Sequence, residues 1–173
     1  MKQVAWFDRK FYFKETQNVF PGLIERLRGT PIRLEEKVKN TPKEELTKQI
    51  DQSWSFQENI GHLIEVEPLW QERLQDIMNG EKELRQADLT NRRTYEGNYN
   101  QIPVNDILIN FRVLRKKTVS LLESLSEEDI FKTSLHPRLK EPMSVFDLFY
   151  FVAEHDDHHL ARIQELKMIF HNM

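Results

Sequence analysis

Apolar residues recur at three- and four-residue spacing through most of this chain, and glycine, which most readily interrupts such a pattern, occurs 5 times in 173 residues. A helix with that periodicity carries one apolar stripe and must bury it against another element. Several such helices in one chain of this length find the simplest burial against each other. The expectation is therefore an all-α fold, a four-helix bundle with short additional helices and no clear sheet, built as a single domain over residues 1–173.

Four long segments carry the pattern. The first runs from about Phe20 to Val38 and is interrupted by Gly29 and Pro31, where a kink or short break is expected. The second begins at Ser55-Phe56-Gln57-Glu58, an S-x-x-E capping box, and continues to about Met78, with Asn79-Gly80 as its stop and Pro68 as an internal kink point. The third follows Pro103, from about Val104 to Leu125. The fourth runs from Val145 to about Phe170, with Ser144 and Asp147 in a second capping arrangement. Shorter turns are expected at Thr41–Glu45 and Ser126–Asp129. The polar stretch from Glu81 to Gln101 reads either as an exposed connector or as a cover over a site.

Composition removes several function classes. With 25 Lys+Arg against 28 Asp+Glu the net charge is -3, and no segment forms a basic recognition helix, so the expectation is no nucleic-acid partner. No stretch approaches the roughly 20 apolar residues of a membrane helix, and charges interrupt the first sixteen residues where a leader's apolar run would lie. A cytoplasmic protein without a membrane partner is expected. The absence of cysteine excludes disulfides, thiolate ligands and a cysteine nucleophile supplied by this chain.

Three of the 6 histidines fall in Glu154-His155-Asp156-Asp157-His158-His159, within the fourth helix. At about 100° per residue, His155 and His159 lie about 40° apart, while His158 diverges about 60° to the other side of His155. An i,i+4 histidine pair directs two imidazoles at one ion but leaves it incompletely held. His62, on the apolar face Ile60-Gly61-His62-Leu63-Ile64, is the natural third donor, and Gly61 beside it admits a close neighbour. The plainer alternative is three ordinary hydrogen-bonded histidines. Glu58, Glu65, Glu154, Asp156 and Asp157 are near enough in sequence to orient ligating rings, although solvated positions on a charged helix face account for most of them.

The segments Trp54-Ser55-Phe56-Gln57-Glu58-Asn59-Ile60-Gly61-His62-Leu63 and Phe151-Val152-Ala153-Glu154-His155-Asp156-Asp157-His158-His159-Leu160-Ala161-Arg162-Ile163 resemble the DinB-like superfamily, particularly its DinB_2-type members. The resemblance covers essentially the whole chain. It implies His62, His155 and His159 as ligands of one divalent metal ion, nickel or zinc, with His158 outside the set, and it implies a homodimer. Some relatives are S-transferases that use a low-molecular-weight thiol, bacillithiol or mycothiol. There the metal would acidify the thiol and present a thiolate to a small electrophilic substrate.

A metal-dependent hydrolase would use the same open position for water and would need a proton-handling group, for which Glu58 is the candidate, although the capping box also claims that carboxylate. Arg92 and Arg93, in the polar stretch, are candidates to pair with a carboxylate of a bound cofactor. Trp54 and Trp70 are expected to anchor packing. A non-catalytic, metal-stabilised stress-response or binding module is the third alternative. An open fourth coordination position argues against it.

Overall fold

A computed structural model describes residues 4–11, 13 and 19–172; residues 1–3, 12 and 14–16 of the stretch read for a leader lie outside the described residues. The interrupted first segment is two helices, α1 (Phe20–Arg28) and α2 (Thr30–Val38). Pro31 has no N–H to give a preceding turn, yet Gly29 keeps helical dihedrals and its carbonyl accepts from the Arg33 N–H at 3.0 Å. The break is therefore local, and both helices pack on the same two neighbours.

After the short α3 (Lys43–Thr47) comes α4 (Phe56–Met78), opened by the complete Ser55/Glu58 capping box. It runs as one helix through Pro68 and ends at Asn79, followed by Gly80 in the left-handed region at φ +73°. A second short helix, α5 (Arg92–Glu96), lies inside the polar stretch. The third and fourth long segments are α6 (Val104–Glu123) and α7 (Val145–His171), the latter opened by the Ser144/Asp147 box. Helix α4 packs on α6 and α7, and α1 and α2 pack on those same two, which closes the four-helix bundle.

One small sheet accompanies the helices. Strands β1 (Thr133–Leu135) and β2 (Pro142–Ser144) pair antiparallel with Thr133 opposite Ser144 and Leu135 opposite Pro142. Three residues give too little alternation to register as a strand in sequence. The hairpin is anchored to the start of the polar stretch, where the Leu84 N–H donates to the Leu135 carbonyl at 2.9 Å and the Leu135 N–H to the Lys82 carbonyl at 3.0 Å.

The bundle core is divided along its length. One apolar cluster contains Leu27 of α1, Trp70 and Ile77 of α4, Leu122 of α6 and Phe149 of α7; the other contains Leu34 of α2, Ile60 and Leu63 of α4, Phe111 of α6 and Ile163 of α7. Between them α2, α4, α6 and α7 contribute polar groups: Thr30, Glu67, Arg115, Thr118 and Asp156, all at 1% exposure or less. Arg115 donates from Nε and Nη2 to the two Glu67 carboxylate oxygens, each at 2.8 Å, and from Nη1 and Nη2 to Asp156. Thr118 Oγ1 donates to Glu67 at 2.6 Å and Thr30 Oγ1 to Asp156 at 2.7 Å. Burial alone would lower the Arg115 pKa, but the two carboxylates outweigh it and hold the guanidinium charged.

Candidate metal centre

The polar layer continues into the histidines. Residues Glu154 to His159 of α7 face three directions. Asp156 enters the buried layer, Glu154 and Asp157 meet Arg26 and Arg33 on the flank, and His155 and His159 point toward α4. His62, from the second turn of α4, meets them there. All three rings are buried, at 5–6% exposure. His155 Nε2 lies 3.3 Å from His62 Nε2 and 3.3 Å from His159 Nε2. Ring nitrogens of the three residues all fall within 4.8 Å of one another.

Those separations suit a shared cation. Two metal–nitrogen bonds of about 2.0–2.1 Å at a tetrahedral angle place their donors about 3.3 Å apart. One ring hydrogen on His155 cannot point along both contacts at once, whereas one ion serves all three lone pairs.

The neighbouring hydrogen bonds fix the tautomer of His159 and orient His62. Asn59 directs its amide NH2 to the carbonyls of Trp54 and Ser55, at 3.1 and 2.7 Å, so its Oδ1 faces His159 Nδ1 at 2.9 Å and accepts that nitrogen's hydrogen. The His159 Nε2 lone pair is thereby left toward the cluster. His62 Nδ1 meets the Thr94 hydroxyl at 3.0 Å. His155 Nδ1 has no hydrogen-bond partner among the described residues, and its ring stands steeply against the indoles of Trp6 and Trp70, at 4.9 and 5.8 Å between centroids.

Burial keeps the imidazoles neutral, as metal ligation demands. Desolvation, assisted by nearby His158, lowers the His62 pKa to about 4, and desolvation followed by mutual repulsion puts His155 and His159 well below the ordinary value of 6.5. In metal-stripped protein the unfolded chain therefore takes up protons as pH falls below about 6.5, while the folded His62 resists until about pH 4. The stability this adds is complete above about pH 6.5 and is lost as pH drops from there toward 4. We expect the unfolding free energy of stripped protein, measured by urea titration, to fall steadily between pH 7 and 4.5, with a slope reaching about 1.4 kcal/mol per pH unit from His62 alone. A flat profile would contradict neutral buried rings.

The carboxylates that could have oriented the rings, most of them read as solvated, form no hydrogen bond with the three imidazoles among the described residues; Asn59 and Thr94 do. Asp156, read with the charged face of α7, is fully buried on Arg115. Glu65 accepts from the Tyr99 hydroxyl at 2.5 Å. Glu58 accepts from the Ser55 N–H at 2.8 Å in the capping box and also holds Gln49. Arg92 and Arg93 have exposed side chains and do not line the cavity described below. The polar stretch does cover the site: it supplies Thr94, and the Tyr99 ring packs on Gly61 so closely that a Cβ there would lie 2.2 Å from Cδ2. Gly61 was the visible signal for that approach.

The three imidazoles open onto a cavity of about 410 Å³ walled by Trp6, Trp54, Trp70, Val66, Leu69 and Phe151. Trp54 and Trp70, expected as packing anchors, are thus walls of the site as well, and the Trp54 ring lies 4.7 Å from that of His62. The volume is that of a small-molecule site. His158 also reaches this cavity, and its pKa is lowered to about 4, chiefly by burial.

A helical bundle with a buried, convergent histidine triad at the base of a ligand-sized cavity is an architecture that could hold a divalent metal ion. The chain belongs to the DinB superfamily, whose family model matches residues 26–163. Among solved structures it is similar to YfiT from Bacillus subtilis, described as a probable metal-dependent hydrolase with an unusual four-helix bundle topology, at TM-score 0.81 and 19% identity over 94% of this chain and 93% of that one. It is also similar to a protein from Streptococcus pneumoniae (TM-score 0.70, 14% identity, 91% and 94% covered) and an uncharacterized protein from Clostridium difficile 630 (TM-score 0.67, 14% identity, 90% and 99% covered). Likeness at these identities establishes the fold. No curated protein matches the sequence. Among the described residues, no helix is long and apolar enough to cross a membrane.

Proposed function

We propose that the protein is a metal-dependent S-transferase that conjugates a small thiol co-substrate to an electrophile, with His62, His155 and His159 as the metal ligands. A bound divalent ion would acidify a coordinated thiol or water and so supply a nucleophile near neutral pH. The observation that favours a thiol is the cavity wall. Among the described residues that line it, Asp88 is the one carboxylate, and it accepts from the Thr90 N–H and hydroxyl and from the Arg92 N–H, bonds that lower its pKa. A thiolate needs no further proton removal before attack, while hydrolysis needs a group to manage the protons of water and leaving group, and His158, which also reaches the cavity, is a weak base because burial lowers its pKa to about 4. Three ligands leave coordination open on the cavity side, where Trp54, Trp70 and Phe151 exclude bulk water and present flat apolar surface to the electrophile. The likeness to YfiT is the specific reason to keep hydrolysis as the second reading.

The test is a side-by-side assay of metal-loaded protein with bacillithiol or cysteine plus 1-chloro-2,4-dinitrobenzene, and with p-nitrophenyl acetate alone. Thiol-dependent conjugation that disappears on chelation is the expected result. Ester hydrolysis without thiol, with no conjugation, would replace the first reading by the second.

A further inference from the structure

The cavity has a second polar region beyond the histidines. Along α4, His62, Val66, Trp70 and Arg73 line it on successive turns, so His62 and Arg73 are about 16 Å apart along the helix axis. The guanidinium carbon of Arg73 lies 5.6 Å from the Trp70 ring centre, and the His155 ring lies 5.8 Å from that same ring. The Trp70 indole therefore lies between the histidines and a cationic end formed by Arg73, Arg138 and His136.

That end has donors in excess. Arg73 is 2% exposed, yet neither it nor Arg138 forms an ion pair among the described residues. Asp76, on the next turn, acts on Arg73 only through space, because its carboxylate is held by the backbone N–H and guanidinium of Arg85. Arg73 Nε donates to the Arg85 carbonyl at 3.1 Å, and Nη1 faces His136 Nε2 at 3.2 Å. His136 Nδ1 already accepts the N–H groups of Arg138 and Leu139, at 3.2 and 3.1 Å. The hydrogen of the neutral ring consequently sits on Nε2, so a donor faces a donor. Arg138, half-buried, places its guanidinium 5.3 Å from the Phe7 ring centre and meets no carboxylate among the described residues. Burial lowers the Arg73 pKa to about 10, which still leaves it charged at neutral pH. A desolvated cation, a donor–donor contact and a second cation at one end of an apolar cavity together call for an acceptor anion.

We propose that the cavity selects small molecules bearing a carboxylate on an apolar body, with the carboxylate held by Arg73 and Arg138 and the opposite end of the molecule beside the three imidazoles. This deepens the reading of the site as a metal-dependent enzyme and rests on it for the reacting end alone. Recognition by the arginines does not need the ion. The hairpin β1–β2 delivers His136 and Arg138, which gives this small sheet a role in the site.

The test uses 3-phenylpropionate and its uncharged counterpart 3-phenylpropionamide, titrated into the full chain by calorimetry and by intrinsic fluorescence. All 3 tryptophans line the cavity, so their emission reports its occupancy. Metal content is measured on the same samples, and the titrations are repeated after chelation. We expect the acid to bind about tenfold or more tightly than the amide, Arg138→Gln and Arg73→Gln each to remove most of that preference, and the preference to survive chelation. Arg138→Gln carries the result if circular dichroism shows Arg73→Gln unfolded. Equal binding of acid and amide, binding of neither, or a preference that persists in Arg138→Gln would overturn the proposal. So would a preference that vanishes with the metal, which would place the carboxylate on the ion. Acid preference in a protein that never takes up metal would instead sustain the anion end while removing the metal-dependent reading.

Discussion

Arg115→Met should destabilise the bundle by about 3–5 kcal/mol, read as a lower urea midpoint with an unchanged slope. The substitution keeps much of the side-chain volume and removes the one cation between Glu67 and Asp156, two carboxylates that are both 0% exposed. Either a buried charge is left uncompensated or a proton must be taken up to neutralise it, and both oppose folding. Small domains are typically stable by about 5–15 kcal/mol, so a single loss of this size removes a large share. Adding Glu67→Gln and Asp156→Asn to Arg115→Met should recover most of it, since neutral amides carry no unpaired charge. A single variant within about 1 kcal/mol of the parent would show that water or a shifted neighbour already screens the layer.

His155→Ala should reduce bound metal from near one ion per chain to a small residue after dialysis, measured by elemental analysis of purified, tag-free protein. His155 Nε2 is the donor that stands 3.3 Å from each of the other two, so removing it leaves a pair that no longer encloses an ion. Thr94→Val, which takes away only the partner of His62 Nδ1, should weaken affinity about tenfold to a hundredfold. His158→Ala should leave the stoichiometry intact. If His155→Ala retained as much metal as the parent, the histidines would be ordinary buried rings and both enzymatic readings would fall.

Much of this architecture was legible in the sequence because its signals are local. Ser55 with Glu58 and Ser144 with Asp147 mark two helix starts by chemistry that spans a single turn. His155 and His159 share a face by spacing alone, and Gly61 marked the approach that Tyr99 makes. What stayed hidden depends on partners distant in the chain. Asp156 sits amid charged neighbours and looks like part of a solvated face; only Arg115 on α6 turns it into a core residue. Asn59 and Thr94 have no periodic signature, because their importance comes from reaching a ring nitrogen across the bundle. Arg73 and Arg138 come together only because three-residue strands fold the chain back beside α4, a pairing too short to read from alternation.

The division of labour along Glu154–His159 also fixes the rotational phase of α7. Turning this helix about its axis enough to redirect His155 and His159 would pull Asp156 off Arg115 in the interior and Glu154 and Asp157 off Arg26 and Arg33 on the flank. Two of the three proposed ligands are therefore clamped from both sides before any ion arrives, which limits the reorganisation that binding has to drive. A single-residue insertion or deletion just before Glu154 would shift all of these contacts by about 100° at once. The segment can therefore exchange side chains one for one, whereas a change in its length would break the site and both clamps together.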